Sequence, residues 1–148
     1  MIHTRIDITT RFELEAFIQF AADYLGIVEE VSVNIFTNEA LLERFSREGY
    51  EYRALLYATA LPGAYNLVVR PRLGCAVIKE IAAHEMIHLS QYAAGRLKMD
   101  VASGRCIWEG KVFSNDIPYE ERPWEKEAFG KEKDLLKAFR KRNRTKNK

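Results

Sequence analysis

The segment His84-Glu85-Met86-Ile87-His88 is the clearest chemical pattern in this chain of 148 residues. Residues four apart on a helix lie one turn apart on the same face, so these two imidazoles can bind a single metal ion. Glu85 beside them can then reach a water molecule at that ion. Two of the three histidines of the chain fall in this arrangement. If no metal were bound, a buried His-Glu-His cluster would need several compensating hydrogen bonds, so the pattern favours a zinc site.

A catalytic zinc site takes three protein ligands and leaves one position open for water or substrate. The remaining histidine, His3, lies far upstream, and no histidine follows His88. We therefore expect the third ligand to be a downstream carboxylate. Nine acidic residues are candidates: Asp100, Glu109, Asp116, Glu120, Glu121, Glu125, Glu127, Glu132 and Asp134.

Helix periodicity narrows this set to one preferred residue. At about 100° per residue from Trp124 onwards, the apolar side chains gather on one side of the helix, and Glu125 falls within about 40° of their centre. Glu127 points roughly 120° away, and Glu132 shares the face of Glu125 but lies two turns further along. A carboxylate on a buried face needs a partner such as a metal ion. We predict Glu125 as the third ligand, with Glu127 and Glu132 as the alternatives.

Taken together, the two segments resemble the gluzincin class of zinc metallopeptidases. In that class the third ligand is a glutamate on a later helix, often with an alanine three residues beyond, which corresponds here to Glu125 and Ala128. Many relatives carry an acid four residues after the glutamate, whereas this chain has Phe129, so support for the ligand histidines must come from elsewhere. The resemblance covers about residues 64–130. The segment Arg122-Pro123-Trp124-Glu125-Lys126-Glu127-Ala128 resembles most closely that of small predicted metallopeptidases often encoded by bacteriophages, which carry a similar Arg-Pro-Trp-Glu-x-Glu-Ala segment.

A site of this composition implies hydrolysis of peptide bonds. Zinc held by His84, His88 and Glu125 would lower the pKa of its bound water towards 7. Glu85 would take the proton as general base and return it to the leaving amine. Three residues are conceivable donors to the oxyanion, and the spacing selects none of them: Tyr92, Tyr119 and Arg122.

Boundary signals predict that both segments lie on helices. Cys75–Ala94 is expected to be one helix ended by Gly95, and Pro123 is expected to open the last helix. An earlier helix is predicted over Thr10–Leu25, with a capping box formed by Thr10 and Glu13 and with Gly26 at its end. A short helix is expected over Glu39–Arg47. Strands or hairpins are expected over Val31–Phe36, Tyr52–Thr59, Ala64–Arg70 and Arg105–Phe113.

This order of elements predicts a single zincin-like α+β domain. Its small, mostly antiparallel sheet is expected to pack on the active-site helix and on the C-terminal ligand helix. The strand at Ala64–Arg70 would then be either an edge strand that pairs with an extended peptide or an ordinary strand of the sheet. We expect the domain to cover residues 1–139 and to be followed by a basic, flexible tail over residues 140–148.

Composition and charge limit the compartment and the partners. Hydrophobic residues make up 47% and charged residues 30% of the chain, as in soluble globular proteins. The start has no secretory-signal layout, and Cys75 and Cys106 are not in a paired motif. We therefore expect a cytoplasmic protein (of the bacterial host if phage-encoded), with no disulfide and no membrane partner. Residues 131–148 hold nine Lys/Arg and two acids, whereas the rest of the chain holds fourteen and nineteen.

Three functions remain open from the sequence. The first is a zinc metallopeptidase acting on a peptide or protein substrate. The second is a zincin-like protein whose zinc is structural or vestigial and which serves in binding or phage assembly. The third is a nucleic-acid-associated protease recruited by the basic tail, although a solvated, frayed terminus is the commoner outcome for such a run and no aromatic residue within it could stack on bases.

Overall fold

The two segments that carry the chemistry lie on the two longest helices of the fold. A computed structural model describes residues 2–9, 13–45, 52–99, 103, 105–114 and 116–146. The helices are α1 (Leu14–Tyr24), α2 (Glu39–Phe45), α3 (Cys75–Ala93) and α4 (Pro123–Lys146). The strands are β1 (Ile2–Ile6), β2 (Val31–Thr37), β3 (Ala54–Ala58), β4 (Ala64–Val69), β5 (Leu97–Met99), β6 (Cys106–Trp108) and β7 (Lys111–Phe113). The predicted α+β class with a small sheet is confirmed.

The main sheet has four strands in the order β1-β2-β4-β3. β1 and β4 both run parallel to β2, with Ile2 opposite Val31 and Ser32 opposite Ala64. Among the described strands of this sheet, only β3 and β4 form an antiparallel pair. For this sheet the prediction of mostly antiparallel pairing is therefore wrong. Parallel neighbours need a crossover connection, and α1 supplies it between β1 and β2.

Strand β1 and the position of β4 also differ from expectation. Strand β1 (Ile2–Ile6) is not among the strands expected from the sequence, although its side chains alternate in burial. Its pairing with β2 covers one side of β2, and β4 covers the other. β4 is consequently an inner strand, and the edge beside it is formed by β3. The interpretation of Ala64–Arg70 as an edge strand is wrong, because that edge is occupied by the other arm of its own hairpin.

The main core lies between this sheet and helices α1, α3 and α4. Inward side chains of β2, such as Val33 and Ile35, meet the buried faces of α1 and α3. Phe139 of α4 packs edge-on against Phe17 of α1, with ring centroids 5.0 Å apart. Ile87, on the turn between the two motif histidines, is fully buried in this core. The core therefore holds α3 and α4 side by side, which is what the site requires.

A second, three-stranded sheet, β5-β6-β7, anchors the beginning of α4. The turn between β6 and β7 consists of Glu109 and Gly110, both at positive φ (49° and 84°), the conformation of a tight hairpin turn. Trp108 of β6 and Trp124 of α4 are buried in one apolar cluster with Leu97. The hairpin expected over residues 105–113 is confirmed, and its packing holds the first turn of α4 in place.

Two helix ends differ from the sequence-based boundaries. α1 begins at Leu14, and Glu13 itself occupies the N-cap position without a side-chain capping bond. The predicted capping box is therefore wrong, since Glu13 would have to lie inside the helix; Thr10 is outside the described residues. At the other end of the chain, residues 140–146 continue α4 as regular helix. Lysine and arginine are good helix formers and interact favourably with a helix C-terminus, which is consistent with this extension.

The two cysteines are not joined to each other, and both are partly buried thiols. Within the described ranges, α3 and α4 are the only helices of 18 residues or more, and neither they nor the shorter helices have the apolar stretch needed to cross a bilayer.

Candidate metal centre

His84 and His88 point their Nε2 atoms at a common point on the side of α3 that faces α4. The two Nε2 atoms are 3.2 Å apart. Oε1 of Glu125, from the first turn of α4, lies 3.4 Å from Nε2 of His84 and in direct contact with Nε2 of His88. The potential ligand atoms of the three residues all lie within 4.8 Å of one another, as in a group that could hold a metal ion.

Local structure explains why Glu125 faces inwards. Pro123 is the first helical residue of α4, a position where its fixed φ and missing N–H are tolerated. The indole of Trp124 is locked into the second cluster, where it meets Phe113 edge-on at 5.5 Å. With the preceding residue fixed in this way, Glu125 is directed towards α3, and only 6% of it is exposed.

The second ring nitrogen of His84 is held by Glu132, two turns further along α4. Nδ1–H of His84 donates to Oε2 of Glu132 at 2.8 Å. Glu132 was one of the alternative third ligands, but the structure places it behind the histidine rather than beside Glu125. Phe129, at the position where many gluzincins carry an acid, packs its ring 4.8 Å from the His84 ring. The support for His84 therefore comes from Glu132, three residues after Phe129 on the same helix.

The second ring nitrogen of His88 is held by Gln91, a residue that the sequence analysis missed. Nδ1–H of His88 donates to Oε1 of Gln91 at 2.8 Å. Gln91 is fully buried, and its amide NH2 donates to the carbonyl of Trp124 at 3.1 Å and to Oε1 of Glu127 at 3.3 Å. His84, His88 and Gln91 stand at positions i, i+4 and i+7 of one helix face, a spacing that could have indicated the role of Gln91.

These contacts define which atoms of the imidazoles carry protons. A carboxylate has no proton to donate, and the Gln91 amide nitrogen already faces two acceptors, so both Nδ1 atoms must be the protonated ones. When both imidazoles are neutral, their Nε2 atoms therefore carry lone pairs that face each other and the Glu125 carboxylate. Three acceptors then converge at this point, and a proton or a cation must lie between them. A bound cation satisfies such an arrangement, and the residues present fit a metal ion.

Contacts within the group of His84, His88 and Glu125 shift the pKa values of its members, as expected for a cation site. Burial alone would raise the pKa of Glu125, but hydrogen bonds from His84 and His88 lower it far below its usual value. Burial would lower the pKa of His84, but its contact with Glu125 and the charge of Glu85 raise it to about 9. Protons and metal ions therefore compete for the same three residues.

Glu127, the other alternative ligand, is engaged elsewhere. Its carboxylate accepts two hydrogen bonds from the Arg96 guanidinium, at 2.8 Å and 2.6 Å. Burial raises the pKa of Glu127, but the bonds from Arg96 and Gln91 outweigh it, and the net pKa is lowered. His3 is also distant from the site and pairs with Glu30 on the surface at 3.1 Å. Asp100 lies outside the described residues.

An open cleft of about 250 Å³ lies beside His84. Its lining includes Glu85, Glu132, Tyr119 and Phe129 from the two helices and the turn before α4, and Ala54 from β3. Burial raises the pKa of Glu85, which brings this carboxyl closer to the range useful for a general base at neutral pH.

The three conceivable oxyanion donors occupy different surroundings. Tyr119 lines the cleft, and its hydroxyl donates a hydrogen bond to Glu125. Tyr92 packs against Tyr65, with ring centroids 5.9 Å apart, and burial raises its pKa. Arg122 donates to the carbonyl of Ile117 and lies over the Tyr119 ring at 5.5 Å. Of these three residues, only Tyr119 is part of the lining of the cleft.

Comparisons with protein families, curated protein sequences and solved structures find no match to this chain.

Proposed function

We propose that this protein is a zinc-dependent metallopeptidase with His84, His88 and Glu125 as its metal ligands. The observation that carries the proposal is the convergence of two imidazole Nε2 atoms and one carboxylate oxygen beside an open cleft that His84 lines. Two imidazoles and a glutamate are a ligand set of catalytic zinc sites, in which one coordination position stays open. When bound there, zinc supplies Lewis-acid chemistry, lowering the pKa of a water molecule towards 7 and polarising a carbonyl.

Glu85 is the residue we assign as general base. It lies in the lining of the cleft next to His84, and its pKa is raised by burial. A carboxylate with a raised pKa can accept a proton from water and pass it on to the leaving amine. The chain thus supplies both the ligand set and the base that peptide hydrolysis needs.

Tyr119 is the donor that we assign to the developing oxyanion. Its hydroxyl is hydrogen-bonded to Glu125 and its side chain lines the cleft, whereas Tyr92 and Arg122 are not part of that lining. A donor pre-positioned near the reacting carbonyl is one of the larger contributions to acyl-transfer catalysis.

The edge strand β3 gives an extended substrate a place to bind. Among the described residues β3 pairs only with β4, and Arg53 and Ala54 at its beginning line the cleft. A peptide added to this edge would run past His84 and Glu85, with main-chain hydrogen bonds providing affinity.

The cleft also weighs against a purely structural zinc. Structural zinc sites are closed by four protein ligands, whereas the described residues supply three here, and one of them, His84, borders a cleft of about 250 Å³. This opening favours the catalytic over the structural interpretation.

The Glu85→Gln variant tests the proposal. Zinc-loaded wild-type protein is expected to cleave a mixture of quenched-fluorescent peptides or denatured casein, and the variant is expected to lose 10²- to 10⁴-fold in rate. Zinc content, measured by elemental analysis, should stay at that of the wild type, because Glu85 is not a ligand. The matched control is Glu80→Gln, which removes an exposed acid of the same helix that also lines the cleft.

The outcome separates the candidate functions. Zinc binding without cleavage of any peptide by the wild type would contradict the peptidase and leave a zinc-binding protein. Equal loss of activity in both variants would contradict the role of Glu85 as base. Absence of zinc from wild-type protein, with no uptake on titration, would contradict the metal site itself.

A further inference from the structure

We propose that the exposed face of α4 binds double-stranded DNA through the phosphate backbone. This surface, the basic stripe, consists of Lys133, Lys137, Arg140 and Arg144, all of them exposed. The inference concerns a different part of the molecule from the metal centre and does not depend on the proposed peptidase activity.

Helix geometry places the four side chains in one row. At 100° per residue they lie within about 60° of one another around the axis, and they extend over about 16 Å. Leu135 and Phe139, on the opposite side of α4, are buried in the main core, so the stripe points away from the protein body. In the described part of the chain none of the four forms an ion pair. The row therefore presents about one available positive charge per helical turn.

The basic stripe belongs to a segment of positive net charge, whereas the rest of the chain has a negative net charge. Residues 131–148 carry a formal balance of +7 (nine bases and two acids), and the remaining residues carry −5 (fourteen bases and nineteen acids). Because of this separation of charge, a polyanion is attracted to one surface of the protein and repelled by the rest.

The side chains of the stripe favour a nucleic acid over a membrane or a protein. Helices that bind membrane surfaces place apolar residues beside their cations, but the apolar residues of α4 at the level of the stripe, Leu135, Leu136 and Phe139, pack in the main core. Protein interfaces are poor in lysine and rich in aromatic anchors at their centre, and the stripe contains no aromatic residue. A linear row of cations instead matches the regular charges of a phosphate backbone.

The same features favour duplex DNA among nucleic acids. Proteins that bind single strands stack bases on aromatic side chains, which the stripe lacks. The major groove of B-form DNA is wide enough to admit an α-helix, whereas that of A-form RNA is deep and narrow. Lysine and arginine contacts to phosphate carry no base information, so we expect binding without sequence preference.

The salt dependence gives the expected size of the effect. Four phosphate contacts predict a slope of about −3.6 for log K against log salt concentration. Affinity should therefore fall about 150-fold between 50 and 200 mM KCl. The triple variant Lys137→Gln/Arg140→Gln/Arg144→Gln retains one contact, so its slope should be about −0.9.

Fluorescence anisotropy of the full chain with a labelled 20-base-pair DNA duplex tests the inference. The control, Arg5→Gln/Lys98→Gln/Arg105→Gln, removes the same charge from exposed positions elsewhere. The stripe variant is expected to lose at least tenfold in affinity at 50 mM KCl, and the control less than threefold. Circular dichroism of both variants checks that α4 is intact.

Several results would overturn the proposal. These are no binding at 50 mM KCl, a slope near zero, or equal weakening by the stripe and control variants. Tighter binding to duplex RNA, to single-stranded DNA, to phosphatidylserine vesicles or to polyglutamate than to the DNA duplex would assign the stripe to that other partner and overturn it as well.

Discussion

Removing the Glu132 carboxylate should weaken metal binding even though Glu132 is not itself a ligand. Its contact with Nδ1–H of His84, at 2.8 Å, holds the imidazole so that Nε2 faces the site. Loss of such an outer contact typically weakens metal affinity by 10- to 100-fold, which corresponds to about 1.4–2.7 kcal/mol. The His84 side chain is 13% exposed and borders an open cleft, so water can partly replace the lost acceptor. We therefore expect the Glu132→Ala variant to lose about 10- to 30-fold.

Competition with a chromophoric zinc chelator at constant pH measures this effect. The Glu132→Gln variant keeps an acceptor oxygen without the charge, so its affinity should lie between those of Glu132→Ala and the wild type. Asp134→Ala is the matched control, because it removes an exposed acid from the same helix at an unrelated position. The absorption spectrum of the cobalt-substituted proteins reports whether the ligand geometry changes along with the affinity.

Two results would refute the reasoning. An affinity of Glu132→Ala within twofold of the wild type would mean that the contact does not orient His84. An equal loss in Asp134→Ala would mean that the negative charge of α4, rather than the hydrogen bond, governs the affinity.

Three further predictions follow from buried or strained groups. Without metal, the free energy of unfolding should fall by up to about 3 kcal/mol from pH 6.5 to pH 9. The pKa of His84 is raised to about 9 in the folded protein, so protonated His84 stabilises the folded state and this contribution is lost as the proton dissociates. Urea titrations of wild type and His84→Ala should therefore differ at low pH and agree at high pH. Gln91→Leu should destabilise the protein by about 1–3 kcal/mol in chemical denaturation, since it leaves buried partners without a hydrogen bond, and a loss under 0.5 kcal/mol would contradict this network. Gly63→Ala should lower the melting temperature, because Gly63 has a φ of +76° and an added Cβ would lie 2.9 Å from the Glu30 carbonyl oxygen. Gly130→Ala should raise the melting temperature, because an added Cβ on this residue of α4 would meet no other atom within 4 Å.

Much of the candidate site could be predicted because its determinants are local. The four-residue spacing of His84 and His88 acts through helix periodicity, which depends only on neighbours in the chain. The choice of Glu125 over Glu127 rested on the same periodicity, and the structure brings Glu125 to the two histidines. Pro123 marked the beginning of α4 for an equally local reason, since proline is suited to the first helical position.

Other features depended on contacts between residues far apart in the chain. Glu132 and Gln91 became partners of the histidines only through the packing of α4 against α3. The strand order is a second example. It depends on which strands meet: β2 pairs in parallel with β1 and β4, and β3 lies at the edge. Alternation of side chains predicts that a segment is a strand, but it does not identify the neighbouring strand.

The sequence by itself thus indicated the three residues that could hold a metal ion, the residue proposed as base and the helices that carry them, because these follow from residue type and helical period. Only the tertiary structure decided how the imidazoles are oriented, where the cleft opens and which strand borders it. The physical reason is that such contacts join residues up to 48 positions apart, as for His84 and Glu132, and their formation depends on the packing of the whole core rather than on the local pattern.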